Sequence, residues 1–299
     1  MPPAVTVVGS LNLDLVVGVS LLPGRGETVV GNSATSSLGG KGANQAAAAA
    51  ALSSEVAMVG RVGDDPAGRS LVGDLTERGV DTAAVLVTPA APTGAATVAV
   101  EDGSGENLIV VAPGANALLS ASDVRIDSVR DARVLLLQLE VPTEAIQAAI
   151  THATGLVVLN PAPAQPLSPS LLERVAVLVP NEWELSRLAG VEPAVRSPDE
   201  LASLARTVTS RGVVVTMGAR GALVVPAAGP AQLVTPPRVL ALDTTGAGDC
   251  FCGALCVALS GGEPLLAAVR YAVTAAALST TGPGARGALP HDAAVRAAR

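Results

Sequence analysis

The sequence predicts a three-layer α/β fold, with a central, mostly parallel sheet between helices and a small β-sheet lid. Three observations carry that expectation. Short Val- and Leu-rich runs recur along the chain, and most precede a stretch of helical spacing, which is the pattern of a parallel sheet buried on both faces. Several runs end in polar or glycine residues, namely Gly9, Glu140, Asn160, Asn181 and the turn Met217-Gly218-Ala219-Arg220-Gly221. In a parallel sheet those carboxyl ends share one edge, where ligands bind. Finally, the runs 93–100 and 107–111 flank Glu101-Asp102-Gly103-Ser104-Gly105-Glu106, a hairpin signal inside an otherwise alternating chain.

Composition bounds the rest. A chain of 299 residues can form one large domain, and residues 1–299 read as a single α/β domain with lid strands from about 12–38 and 93–112 inserted in it. Hydrophobic residues make up 49%, yet Trp183, Phe251 and Tyr271 are the only aromatics, so the core must be built from Ala, Val and Leu. A net charge of −7 without a basic run argues against a nucleic-acid surface, and stacking platforms for single strands are missing as well. No run is long and apolar enough for a membrane span, and no signal peptide opens the chain, so a cytoplasmic protein is expected. Cys250, Cys252 and Cys256 share one apolar helix with no further ligand nearby, and read as free thiols in a reducing compartment.

In chain order, 4–8 is a buried strand closed by Gly9-Ser10, and 11–19 continues with Asn12 and Asp14, whose i, i+2 spacing puts them on one face. That pair is either a solvated edge or two groups offered to a polyol. The first strand lacks the dinucleotide glycine pattern, which excludes a Rossmann oxidoreductase. After a Gly-, Ser- and Thr-rich stretch, Gly39-Gly40-Lys41-Gly42-Ala43-Asn44-Gln45 opens an alanine-rich helix. This is not a Walker A loop, because Lys41 is followed by Gly42 and no glycine stands five residues before Gly40. Strands are then expected at 56–59, 83–87, 134–139, 156–159, 175–179 and 213–216, with helices at 66–78, 143–152, 182–188 and 198–211.

The chain is organised around Ala241-Leu242-Asp243-Thr244-Thr245-Gly246-Ala247-Gly248-Asp249. Residues 239–242 read as a strand end, and from Ala247 an apolar helix begins. Glycines here let backbone N–H groups converge at a helix start, a cradle for an anion such as phosphate. Asp249 could be a plain first-turn acid that complements the helix dipole. Beside an anion cradle it is also placed to take a proton from a hydroxyl attacking a phosphoryl group. A second helix is expected at 265–278, followed by Ser279-Thr280-Thr281-Gly282-Pro283-Gly284-Ala285, a turn that leaves carbonyls free, and by a mobile or weakly packed end at 288–299.

These motifs resemble the PfkB-type carbohydrate kinases, and their ribokinase branch in particular. Asp243 to Asp249 is similar to the family's C-terminal signature and Gly39 to Ala46 to its N-terminal one. Gly105-Glu106-Asn107 with Pro113-Gly114-Ala115-Asn116, Gln138-Leu139-Glu140 and Asn160-Pro161-Ala162-Pro163-Ala164 extend the likeness along the chain. The resemblance implies a ribokinase-like fold and ATP-dependent phosphorylation of D-ribose at O5. It implies that Asn12, Asp14, Gly40, Lys41, Asn44 and Glu140 bind the sugar, and that Asp249 is the base. Gly246, Ala247 and Gly248 would form the anion hole. Asn181 and Thr216, Met217, Gly218, Ala219, Arg220 and Gly221 would hold ATP, together with Gly248, and Glu184 would orient Mg²⁺.

It further implies an activating K⁺ at Asp243, Thr245, Ser279, Gly282 and Gly284, mostly through carbonyls; a family serine in that set aligns with Ala288 here. A homodimer paired through the lid sheet is implied too. Alternatives within the class are kinases for another pentose or a nucleoside, such as 2-deoxyribose or pseudouridine. A non-catalytic sugar-binding regulator is the alternative outside it.

Overall fold

In the computed structural model, which describes residues 3–53, 55–104 and 106–299, nine strands form one sheet and four another. The large sheet contains β1 (Val5–Val8), β4 (Val56–Gly63), β5 (Asp81–Thr88), β8 (Val134–Leu137), β9 (Leu156–Leu159), β10 (Val177–Leu178), β11 (Gly212–Thr216), β12 (Ala222–Val225) and β13 (Gln232–Val234). The small sheet holds β2 (Asn12–Val19), β3 (Gly31–Gly39), β6 (Gly94–Glu101) and β7 (Asn107–Ala112). The helices are α1 (Lys41–Leu52), α2 (Pro66–Glu77), α3 (Asp127–Arg130), α4 (Thr143–His152), α5 (Pro169–Leu172), α6 (Glu182–Leu188), α7 (Pro198–Val208), α8 (Ala247–Ser260), α9 (Leu265–Ser279) and α10 (Asp292–Ala297). Gly105, in the hairpin turn, lies outside the described residues.

The large sheet runs β13-β12-β11-β10-β9-β8-β1-β4-β5, parallel from β11 to β5 and antiparallel at β12 and β13. Side-chain alternation sorts its residues into two cores. Val5, Val7, Leu136, Val158 and Val214 join the core that includes α1, α8 and α9; Val8, Leu135, Leu137, Val157, Leu159, Val213 and Val215 join the one that includes α4 and α7. Burial on both sides explains the unbroken Val and Leu runs. From β1 the chain goes first to β4 and β5 on one side and later to β8 and β9 on the other, so the order reverses between β1 and β8. The crevice beyond such a reversal is where open α/β sheets bind ligands.

The lid is a separate sheet in the order β3-β2-β6-β7, in which β2 pairs antiparallel with β3 and parallel with β6. The row Asp14, Ala96 and Val111 lies on one face, whereas Leu15, Thr97 and Val110 lie on the other.

Two expectations are corrected and two strands are added. Residues 239–242 are no strand end: Pro236 and Pro237 interrupt the backbone after β13, Leu240 is 82% exposed, and the segment joins no sheet, Leu242 N–H donating instead to the Thr280 carbonyl at 2.8 Å. The antiparallel strands β12 and β13 were not anticipated, because their runs are short and sit among Gly, Pro and Ala. The C-terminal end is packed, not loose: Val295 of α10 is fully buried, and the Tyr271 hydroxyl donates to Asp292 Oδ1 at 2.8 Å. Arg296 and Arg299 also lie over the Tyr271 ring.

Candidate active site

Asp249 is in the first turn of α8, but it does not behave as a solvated acid. It is 9% exposed and its carboxylate is held by two side-chain amides of α1. Asn44 Nδ2 donates to Oδ2 at 3.1 Å, and Gln45 Nε2 donates to Oδ1 at 3.0 Å. The two helices come this close because small residues face each other: a Cβ on Gly253 would sit 2.7 Å from the Gln45 carbonyl and 2.9 Å from the Ala49 nitrogen. Burial pushes the Asp249 carboxyl above its ordinary pKa, while Lys41, Gln45 and Asn44 oppose the shift by favouring the anion.

Behind the pair the amides form a chain. Gln138 Nε2 donates to Gln45 Oε1 at 2.6 Å, Gln45 Nε2 also reaches Asn160 Oδ1 at 3.2 Å, and Asn160 Nδ2 donates to the Val179 carbonyl at 2.9 Å. These residues follow β8 and β9, so the carboxyl edge of the sheet fixes the acid. Gln45 and Gln138 lie within the family-like runs but were given no role from sequence; a run of matching residues does not say which of them meet.

On the sheet side of Asp249 the polar groups expected for a sugar converge. Ser10 Oγ donates to Glu140 Oε2 at 2.5 Å and the Lys41 backbone N–H reaches the same oxygen at 3.2 Å, joining the ends of β1, β8 and α1. Asn12 is buried and accepts from Asn116 Nδ2 at 2.8 Å; Asn116 in turn clamps the Leu11 backbone. Gly40 has φ +85° and no room for a Cβ, which would come within 2.7 Å of the Asn12 nitrogen.

Asp14 projects from the lid, and its pKa is pushed up to about 6. Burial is the main cause, the Glu140 carboxylate adds to it, Arg286 opposes it, and Asp249 adds a little more. Burial disfavours the Lys41 ammonium, but the carboxylates of Asp249, Glu140 and Glu184 outweigh it and hold the amine above its ordinary value. Lys41 therefore faces several acids, an arrangement suited to a ligand rich in hydroxyls.

On the other side of Asp249, Gly246 caps α8 with φ +73° and packs on the loop at 282–287, where a Cβ would come within 2.5 Å of the Ala285 Cβ. Gly248 faces open space. Beyond it opens a cleft of about 810 Å³ lined by Thr216, Gly218, Ala219, Arg220 and Gly221, by Thr235 to Val239, by Thr244, Ala247, Gly248 and Phe251, and by Val273, Ala276, Ala277 and Thr280. Of the residues expected to hold a nucleotide, Met217 is buried next to this wall. Asn181 is placed differently. Its Oδ1 caps α6 by accepting from Glu184 N–H at 2.8 Å, and Glu184 Oε2 accepts the Asn181 N–H at 2.8 Å. Phe251 and the wall from Val273 to Thr280 were missed because they belong to apolar helices whose faces sequence alone does not orient.

The residues expected to hold metals carry oxygen atoms of the type such cations take. Glu184 keeps one oxygen outside the capping box, and its carboxyl is pushed up by burial, against the Asn181 N–H and Lys41, with Asp249 adding to the rise. A hard carboxylate oxygen within electrostatic reach of Asp249 fits Mg²⁺ and its waters. Asp243 spends both carboxylate oxygens on backbone, accepting from Thr245 N–H at 2.8 Å and Gly284 N–H at 2.7 Å. Among the described residues, the carbonyls of Asp243, Thr245, Ser279, Gly282 and Gly284 accept no backbone hydrogen bond in this turn. Free carbonyls on a folded turn suit K⁺, and Ala288 packs against Gly282, whose added Cβ would meet it at 2.8 Å. No cluster of three or more His, Cys, Asp or Glu that could hold a metal occurs among the described residues.

The geometry is thus a buried acid between a cluster of polar side chains and a helix N-terminus that opens on a large cleft. Comparison with known proteins identifies the family. Over 296 residues the chain is 38% identical to the ribokinase of Haemophilus influenzae, covering 97% of this chain and 96% of that one. It is 36% identical to a deoxyribokinase of Salmonella typhimurium over 297 residues, with 96% and 95% covered. The solved structure of an Arabidopsis thaliana ribokinase complexed with ribose and ATP superimposes with a TM-score of 0.87 at 31% identity, covering 99% of this chain and 98% of that one. Residues 3–292 match the pfkB family of carbohydrate kinases, and the chain belongs to that family.

Proposed function

We propose that this protein transfers the γ-phosphoryl group of ATP to O5 of D-ribose. The observation that carries the reading is the Asp249 carboxylate, fixed by Asn44 and Gln45 between the Lys41–Glu140–Asp14 pocket and the Gly246–Gly248 helix start. Ribose would sit against Asn12, Asp14, Gly40, Lys41, Asn44 and Glu140, with its O5 towards Asp249. The raised proton affinity of that acid suits it to accept the hydroxyl proton as the oxygen attacks. The N–H groups at Gly246, Ala247 and Gly248 would stabilise charge on the transferring phosphoryl group, and Lys41 would supply a fixed positive charge beside it.

Adenine and its ribose fit the apolar cleft between the Thr216–Gly221 turn and α9. When bound, Mg²⁺ neutralises phosphate charge, and Glu184 would hold its waters. The carbonyls of Asp243, Thr245, Ser279, Gly282 and Gly284 would hold K⁺ under the anion hole, with water in place of the missing Ala288 hydroxyl. The three buried thiols support a reducing compartment, hence the cytoplasm. The outer lid row of Leu15 and Val110, at 41% and 59% exposure, supports pairing with a second copy.

The test is a sugar panel of ribose, 2-deoxyribose, fructose, adenosine and pseudouridine, with ADP release followed in the presence and absence of K⁺. The highest kcat/KM is expected with ribose. A preference for 2-deoxyribose would move the chain to the specificity named for the Salmonella relative. Absence of ADP release with every sugar would leave a binding protein without turnover.

A further inference from the structure

Arg286 has no part in the chemistry above, yet its side chain is only 8% exposed. It leaves the loop that packs on the anion cradle through the Asp243–Gly284 hydrogen bond and the Gly246–Ala285 contact. From there its guanidinium reaches three other elements. Nε donates to Asn44 Oδ1 of α1 at 2.9 Å, Nη1 to Asp74 Oδ2 of α2 at 2.5 Å, and Nη2 to the Gly39 carbonyl of β3 at 3.4 Å. A buried guanidinium is tolerated where its fork is filled, and here two of the three contacts go to groups with another task.

The consequence lies at Asn44. A carboxamide presents an acceptor on one side and a donor on the other. Because Arg286 Nε occupies Oδ1, Nδ2 must point at Asp249 Oδ2, where it is found at 3.1 Å. The flipped amide would set its oxygen against a carboxylate and its NH₂ against a guanidinium. Both contacts are repulsive, so Arg286 removes that state. Asp74 fixes Arg286 in turn and is itself held by Arg78 at 3.0 Å.

We propose that Arg286 is a positioning residue for phosphoryl transfer: through Asn44 it locks the donor that aims the Asp249 carboxylate at the sugar hydroxyl, and through Gly39 it ties that lock to the edge strand β3 of the lid. This rests on the kinase reading above. The residue acts on the sugar side and not on the nucleotide.

The experiment is a double-mutant cycle on the full chain with ATP, Mg²⁺ and ribose, using R286A, N44A and R286A/N44A. Removing a charge-assisted hydrogen bond behind the site should lower kcat/KM for ribose by about 10- to 100-fold in R286A, with KM for ATP within about twofold of the parent. In the N44A background the same substitution should cost almost nothing, because its route to Asp249 is already gone. Added guanidinium ion should restore part of the R286A loss and none of the N44A loss.

Equal losses in both backgrounds, or a loss that falls on KM for ATP, overturn the proposal. Should R286A not fold, D74N takes its place: it leaves the guanidinium unanchored and must show the same dependence on Asn44, and equal losses again overturn the proposal. A parent chain that releases no ADP with any sugar defeats the kinase reading itself, and the proposal falls with it. An active parent with additive losses defeats Arg286 alone.

Discussion

At Asp14 the lid and the pocket share one carboxylate, and its proton affinity makes two predictions. Its folded pKa, pushed to about 6 chiefly by burial and by Glu140, lies above the ordinary 3.8 of an unfolded aspartate. The folded chain therefore binds more protons than the unfolded one between those values, and stability falls as pH rises through that window. Asp14→Asn should be more stable than the parent at pH 8 by on the order of 1–3 kcal/mol, and the difference should vanish below pH about 4. Urea denaturation across that range checks it; a pH-independent difference would deny the burial argument. The same carboxylate is expected to accept sugar hydroxyls, so KM for ribose should rise as pH falls below about 6. A site that lowers stability in the free enzyme to gain affinity for its substrate is a common trade.

Residue scale is also where the sequence was most and least legible. Asp249, Lys41, Asn44 and Glu140 stand out as polar groups beside glycines or at strand ends, and the fold brings them together. Gln45, Gln138, Asn116 and Arg286 do not stand out, because a buried amide or guanidinium is defined by the partner it meets more than 70 residues away. Such pairings are tertiary facts, and neither periodicity nor spacing encodes them.

At the scale of elements, the contact between α1 and α8 sets the geometry of the acid. A Cβ on Gly253 would overlap backbone of α1, so Gly253→Ala must push the helices apart and draw Asn44 and Gln45 away from Asp249. Overpacking of this kind costs about 1–3 kcal/mol. A lower thermal midpoint with a fall in kcat is expected, and unchanged kcat would separate the helix contact from the chemistry. The two cradle glycines should respond differently from each other. Gly246→Ala meets Ala285 at 2.5 Å and a positive φ, so it should destabilise the fold. Gly248→Ala meets nothing, and alanine is the better helix former by about 1 kcal/mol. It should keep or raise the midpoint while its methyl crowds the anion hole and lowers kcat; a normal kcat would place the phosphoryl group elsewhere.

Elements with strong periodicity were readable, including β1, α2, α4, α7 and the lid hairpin. β12 and β13 escaped because three- and four-residue strands are stabilised by pairing across the sheet edge.

At the scale of the whole molecule, two sheets divide the labour: the large one carries the ends of β1, β8 and β9 to the acid, and the small one brings Asp14 to the mouth. The lid's outer row gives a further expectation. If the proposed pairing through this face holds, Val110→Asp, which puts a charge on the row Leu15, Thr97 and Val110, should lower the mass in light scattering from that of a dimer to that of a monomer while leaving the large-sheet fold intact. An unchanged mass in solution would show that this face is not the contact.

The central claim is that one buried carboxylate serves both the sugar hydroxyl and the terminal phosphoryl group of ATP. The measurement that bears on it most directly is the turnover of Asp249→Asn alongside its affinity for ribose. In Asp249→Asn, kcat should fall by about 10²- to 10⁴-fold, the range supplied by a positioned general base, with ribose binding changed only a few-fold. Turnover close to that of the parent would contradict it.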